Sequence, residues 1–180
     1  MKAMKPAHPS SDLAALCFEL AGQVAPIVLP RLAPLDQRPA DCFETVVQHV
    51  IDRGGSACYG WVLWEWPGLF LEAEFYAVWR DAEGNLRDIT PRAGDASGIL
   101  FLPDPVRAFD GRRVNSIRQP ISPDPAVAGF LSACHEEFDL INRGARAFMR
   151  NAALQGAELC ELQQIWQRKM GYWQRLSLPD

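Results

Sequence analysis

Apolar residues recur at two different periods along this chain, and the switches between them divide it into three zones. Near the start, Leu13, Leu16, Phe18 and Leu20 fall in a helical stretch, Asp12 to about Ala25, with Ser10 or Ser11 as its cap. Pro26, Pro30, Pro34 and Pro39 then rule out a continuous helix. The clearest helical pattern follows: Phe43, Val46, Val47, Val50 and Ile51 are spaced i, i+3, i+4, i+7 and i+8, forming one apolar face. Asp41 and Glu44 stand in the N-cap and N3 relation of a capping box, and Gly54-Gly55 supplies the stop.

From Cys58 the period becomes two. Tyr59 to Trp66 reads as a strand, Pro67-Gly68 as a turn, and Leu69 to Arg80 as a longer strand. Its alternation puts Leu69, Leu71, Ala73, Phe75, Ala77 and Trp79 on one face, and Phe70, Glu72, Glu74, Tyr76 and Val78 on the other. Asp81 to Asn85 predicts a hairpin turn with Gly84 at the bulge, and Leu86 to Thr90 a third strand stopped by Pro91. A short apolar run, Ile99 to Leu102, suggests one more strand, and Arg113 to Ile117 a further one. Helical spacing returns after the N-cap and N1 pair Asp124-Pro125, with Val127, Phe130, Leu131, Cys134, Phe138 and Ile141 as the stripe. A last helical stretch runs from about Ala145 to Arg175, with a break expected near Gly156 or Gly171.

These elements predict one α+β domain over 1–180: a flexible tail (1–10), a helical part (11–55), sheet and loops (58–118) and a second helical part (124–176). Its centre is an antiparallel sheet of four or five strands flanked by N-terminal and C-terminal helices. The order, a helix followed by antiparallel strands, is compatible with a papain-like or transglutaminase-like core.

Composition narrows the function classes. A formal net charge of -4 argues against general nucleic-acid or anionic-membrane binding. The longest apolar stretch, around Val24 to Leu29, is too short to span a bilayer, and the start carries no apolar signal region. Five scattered cysteines (17, 42, 58, 134 and 160) fit free thiols in a cytoplasmic protein. No HExxH, paired CxxC, P-loop or GxGxxG occurs, so neither metal nor cofactor is expected.

Cys42 is the residue with the most chemical promise. It takes the first helical position, where unpaired N–H groups favour a thiolate, although Asp41 and Glu44 oppose it. On the wheel Cys42 falls about 100° from Phe43, at the edge of the apolar face. If the hairpin pairs Arg80 with Leu86, Val78 with Asp88 and Tyr76 with Thr90, then Tyr76 and Asp88 meet diagonally across strands. A helix-N-terminal cysteine, a base on a strand and an acidic orienter is the layout of thiol-dependent hydrolases and acyl-transfer enzymes.

Cys42, Gly54-Gly55, Gly60-Trp61, Trp64-Glu65-Trp66-Pro67, Glu72-Ala73-Glu74-Phe75-Tyr76-Ala77-Val78-Trp79, Asp88-Ile89-Thr90-Pro91 and Phe101-Leu102-Pro103-Asp104-Pro105 resemble a group of small uncharacterised bacterial and phage-type proteins. The resemblance covers roughly residues 40 to 125. It implies His where this chain has Tyr76, and hence a Cys-His-Asp order that is interrupted here. A tyrosine, with its ordinary pKa near 10, is a poor base at neutral pH. Of the three histidines, His8 lies in the tail, His49 about 10 Å along the helix from Cys42, and His135 in a later helix.

Two readings follow. In the first, Cys42 is the nucleophile of a hydrolase or acyltransferase acting on a small molecule or peptide, with Tyr76 in the base position and Asp88 orienting it. In the second, the scaffold is a non-catalytic binding or interaction protein. Candidate binding residues are Glu72, Glu74 and Trp64 on one sheet face, against a plain solvated face and core packing. The segment with Arg107, Arg112, Arg113 and Arg118 is locally basic and reads best as a solvated loop. Leu162, Ile165, Trp166, Met170 and Trp173 on the last helix pack on the protein itself or serve a homodimer or partner.

Overall fold

The computed structural model describes residues 4–32, 40–92, 97–149 and 153–177. Parts of the Pro-rich connector (33–39), of the Gly- and Pro-rich stretch (93–96) and of the last predicted helix (150–152) lie outside them, as do 1–3 and 178–180. Two helices and two short strands come first: β1 (Lys5–Pro6), α1 (Ser11–Ala21), β2 (Ile27–Pro30) and α2 (Cys42–Arg53). The sheet continues with β3 (Ser56–Trp66), β4 (Phe70–Arg80), β5 (Leu86–Arg87), β6 (Gly98–Pro103) and β7 (Ile117–Pro120). Then come α3 (Pro125–Ile141), a 3-10 helix (Gly144–Phe148) and α4 (Ala157–Ser177).

The fold is α+β, with an open antiparallel sheet ordered β2-β6-β3-β4-β5. Its spine is the β3–β4 hairpin, in register from Ser56↔Arg80 to Trp66↔Phe70. β6 pairs with Gly60–Val62 of β3, and β1 pairs further along the same edge at Trp64 and Glu65. On the far side, β7 covers Phe70–Ala73 and β5 covers Trp79–Arg80, so among the described residues the stretch 74–78 of β4 has no strand on that edge. Gly60 is required where β3 meets β6, since a Cβ there would stand 2.2 Å from the Leu102 carbonyl oxygen.

Apolar burial follows the alternation. Trp61, Leu63, Leu71, Ala73, Phe75 and Leu102 pack beneath Leu13, Leu16 and Cys17 of α1. Val46 and Cys42 of α2 join Leu29, Val62, Tyr76, Val78, Ile99 and Phe101 in a second cluster. At the hairpin end, Phe70 and Trp66 pack under Val127, Phe130 and Trp173 of α3 and α4. No helix among the described residues is long and apolar enough to cross a membrane.

Several expectations need correcting. Among the described residues the sheet has seven strands, not four or five, because the two- and four-residue strands are too short to leave a period-two signal. The tail is anchored: Lys5 and Pro6 pair with β3, the Ala7 N–H bonds the Leu63 carbonyl at 3.0 Å, and Ala7 is buried. Helix α1 stops at Gly22, whose positive φ of 61° ends it, and a strand occupies the connector where only proline punctuation was visible. The strand placed at 113–117 begins instead at Ile117, and β5 ends at Arg87 because Asp88 turns away to bridge Arg31. Helix α2 is rotated from its predicted face: Cys42 and Val46 are buried, while Val47 is 49% and Ile51 71% exposed. Cys42 therefore lies inside the packed face and not at its edge.

Candidate functional site

Asp41 fixes the start of α2 by accepting the N–H groups of Phe43 (2.9 Å) and Glu44 (3.1 Å) with one carboxylate oxygen. That cap places Cys42 at the first helical position, packed against β4. The stretch 74–78 of β4, which pairs with β3 on one edge only among the described residues, faces it, and the backbone of Ala77 makes a hydrogen bond with the thiol. Tyr76, on the same stretch, donates its hydroxyl to Asp88 Oδ1 at 3.2 Å.

Asp88 is reached through the tight turn after β4. The Asp81 N–H bonds the Asn85 carbonyl at 3.0 Å, and Gly84 takes the left-handed φ of 88° that a side chain would resist. Beyond Arg87 the chain leaves β4, and the Leu32 N–H bonds the Asp88 carbonyl at 3.1 Å. The Asp88 side chain has 0% exposure, and its Oδ2 lies 2.6 Å from Arg92 Nη1. Arg92 Nη1 also donates to the Tyr76 hydroxyl at 3.4 Å, and the Arg92 carbonyl accepts from Arg31 Nη2 at 2.6 Å. Tyr76, Asp88 and Arg92 thus form a buried polar node with its central charge paired.

The electrostatics oppose thiol chemistry in this conformation. Burial pushes the Cys42 thiol up to about 12, and the Asp41 and Glu74 carboxylates raise it further against the favourable Ala77 contact. Burial also raises Tyr76 well above the ordinary phenol range, with the Asp88 charge adding to it and Thr90 and Arg92 pulling it back. A phenol held protonated donates a hydrogen bond to Asp88 and cannot accept a proton from Cys42. Cys42 is 8% exposed. The arrangement holds the strand, the helix start and the 88–92 segment together; it does not present a primed nucleophile.

The proposed binding residues hydrogen-bond one another. Trp64 Nε1 donates to Glu74 at 3.1 Å, Trp66 Nε1 to Glu72 at 3.2 Å, and Arg118 Nη2 stands 2.7 Å from Glu72. Trp64 is buried, so it offers no stacking platform. Glu74 is exposed, yet desolvation on its sheet side raises its carboxyl, Glu72 adds to this, and Trp64 and two arginines offset it. Among the described residues no cluster of three or more metal-ligating side chains is present.

The three histidines lie elsewhere. His8 faces Glu65, His49 packs edge-on against Trp79, and His135 is 70% exposed on α3 beside Asn115 and Asp139. Sequence reasoning passed over two important residues. Arg92 stands four positions after Asp88, a spacing that could have marked it as the carboxylate's partner. Asp104, within the Phe101–Pro105 motif, is buried; its Oδ2 accepts from Trp61 Nε1 at 3.1 Å, and its Oδ1 takes the N–H groups of Val106 and Arg107. Comparison with protein-family models, with curated proteins and with solved structures finds no match for this chain.

Proposed function

We propose that this chain is a non-catalytic binding or interaction protein, in which Cys42, Tyr76 and Asp88 stabilise the fold. One observation carries the reading: the Cys42 thiol is buried, with its pKa pushed to about 12, beside a tyrosine that donates to a carboxylate already paired with Arg92. A thiol so placed is almost wholly protonated at neutral pH and is out of reach of an acyl substrate. Binding surfaces then carry the function. On α4, Leu159, Trp166 and Met170 share an exposed side, which suits a partner protein or a second copy. The test is turnover of a panel of activated esters, thioesters and peptide amides by the wild type and by Cys42→Ala. The two proteins should be indistinguishable; loss of a measurable rate in Cys42→Ala contradicts the proposal.

A second reading keeps the thiol-dependent hydrolase or acyltransferase. It is favoured by Cys42 and Tyr76 sharing one buried cluster and by the Tyr76–Asp88 hydrogen bond, which follow the nucleophile, base and acid order. It requires the cluster to open, and the same turnover comparison decides it.

A further inference from the structure

Helix α4 separates its side chains by charge more sharply than by hydropathy. At 100° per residue its five charged groups, Glu158, Glu161, Arg168, Lys169 and Arg175, fall within about 120° of arc. Three of them are paired inside the chain: Glu158 with Arg146, Arg168 with Glu136 and Lys169 with Glu137. The exposed remainder of the wheel carries Gln163, Gln164, Gln167 and Gln174 within about 100°, with no charge among them. Leu159, Trp166 and Met170, at 40%, 46% and 53% exposure, form one shoulder of this neutral face. A helix face left to water ordinarily carries charged residues. Loss of charge together with Trp and Met marks a surface that another protein covers.

Gly171 is the second, independent observation. Where α3 meets α4, Gly129 has a cause within the chain, since a Cβ there would stand 2.5 Å from the Tyr172 ring. Gly171 has none, because a Cβ there would meet nothing within 4 Å. A glycine weakens a helix interior relative to alanine. Its position on the neutral face of α4 is accounted for by a neighbour that approaches closely from outside.

The surface that fits this face best is the same face on a second copy. A carboxamide both donates and accepts, so a row of glutamines is complementary to an identical row. With a formal net charge of -4, two copies repel through most of their surface and meet most readily through a neutral one. In an antiparallel pair with its two-fold axis at Arg168, residues equally far before and after that position stand level. Trp166 of one copy is then level with Met170 of the other on the apolar shoulder. On the opposite shoulder Glu161 is level with Arg175, and between the shoulders Gln164 lies about 1.5 Å along the axis from Gly171. Glu161 and Arg175 are exposed and, unlike the other three charges of α4, form no ion pair among the described residues. Within one chain they are about 21 Å apart along the helix and cannot meet. A single register therefore matches the apolar shoulder, the glycine and the two unpaired charges.

We infer that α4 pairs with a second copy of this chain in an antiparallel, two-fold contact centred near Arg168. This rests on the binding-protein reading and names its partner. The test is the mass of the full chain by light scattering after size exclusion, loaded from about 1 to 200 μM. The mass should rise with concentration from 20.1 kDa toward twice that value. Glu161→Arg sets like charges together at both symmetric positions and should weaken association about tenfold, and adding Arg175→Glu should restore it. Gly171→Glu puts a charged side chain where the copies come closest and should abolish the dimer, while Gln23→Glu, exposed on the loop after α1, should leave it unchanged. A monomer at every concentration overturns the inference, as does a dimer that Glu161→Arg and Gly171→Glu both leave intact. A double charge exchange that fails to restore association overturns the antiparallel register. A monomeric chain leaves the turnover comparison of wild type and Cys42→Ala standing; Cys42-dependent turnover overturns the non-catalytic reading without touching the mass measurement.

Discussion

Two arginine-containing regions of this molecule treat charge in opposite ways. At the Tyr76–Asp88–Arg92 node, a fully buried carboxylate has a guanidinium at 2.6 Å and a phenol at 3.2 Å, held from β4 and the 88–92 segment. In a groove beside α3, Arg107, Arg112, Arg113 and Arg143 surround open space with one lining carboxylate and a buried amide oxygen that has no donor. The first region pairs its central charge internally and so contributes to stability, although Arg92 Nε and Nη2 are buried there without a hydrogen-bond partner. The second sets its guanidinium groups around a cavity, with Arg107 and Arg143 in long and more exposed pairs. Titratable groups gathered in one place thus do not by themselves mark an active site; what matters is whether their partners are already present.

Changes that break the closed node should have the largest effect. Asp88→Ala leaves Arg92 buried without its anion and should cost about 3–5 kcal/mol, read as a lower urea midpoint. Tyr76→His removes a buried ring and its bond to Asp88, for a loss of about 1–3 kcal/mol. Under the binding reading this variant leaves Cys42 as slow to alkylate as before, because burial and not the missing base restrains the thiol. A sharp rise in Cys42 alkylation would favour the enzyme reading.

Alkaline titration addresses the same region. Cys42 is raised from an ordinary 9.0 to about 12, and Tyr76 is raised above its ordinary 10.0. Between the unfolded and folded values the native state holds protons that the unfolded chain has lost. Their contribution to stability is therefore fully present below pH 9 and is lost as pH rises toward 12. Unfolding free energy measured across this window should fall, and Cys42→Ala should flatten the slope. At neutral pH the same Cys42→Ala change should cost only about 1 kcal/mol, the loss of one buried heavy atom. Smallest of all, Arg112→Gln should alter stability by less than about 0.5 kcal/mol, since its guanidinium supports no part of the fold.

Much of the fold was legible in the sequence wherever one residue type dictates one geometry. Asp41 and Asp124 cap helices because their carboxylates suit unpaired N–H groups, and the β3–β4 alternation set which residues face which. The short strands were not legible: β1 and β5 are two residues each and are made by their neighbours, not by their own pattern. The facing of α2 was misread because its apolar stripe is wider than the surface available, leaving Val47 and Ile51 outside and Cys42 within. The proximity of Tyr76 to Asp88 could be read from hairpin register, but the partner Arg92 and the tie to Arg31 depend on how the chain turns after Arg87. Likewise a basic segment could be seen at 107–118, but not that α3 would complete a cavity with it.

The most direct test of the closed node is iodoacetamide labelling of the folded protein across pH, resolved at each cysteine by mass spectrometry. Exposed Cys160 should label as an ordinary thiol, and the four buried cysteines should lag behind it. Cys42 should stay protected at neutral pH and react only as strong alkali or unfolding exposes it. Rapid labelling of Cys42 in the native protein, with an apparent pKa below about 8.5, would contradict the account and restore the nucleophile.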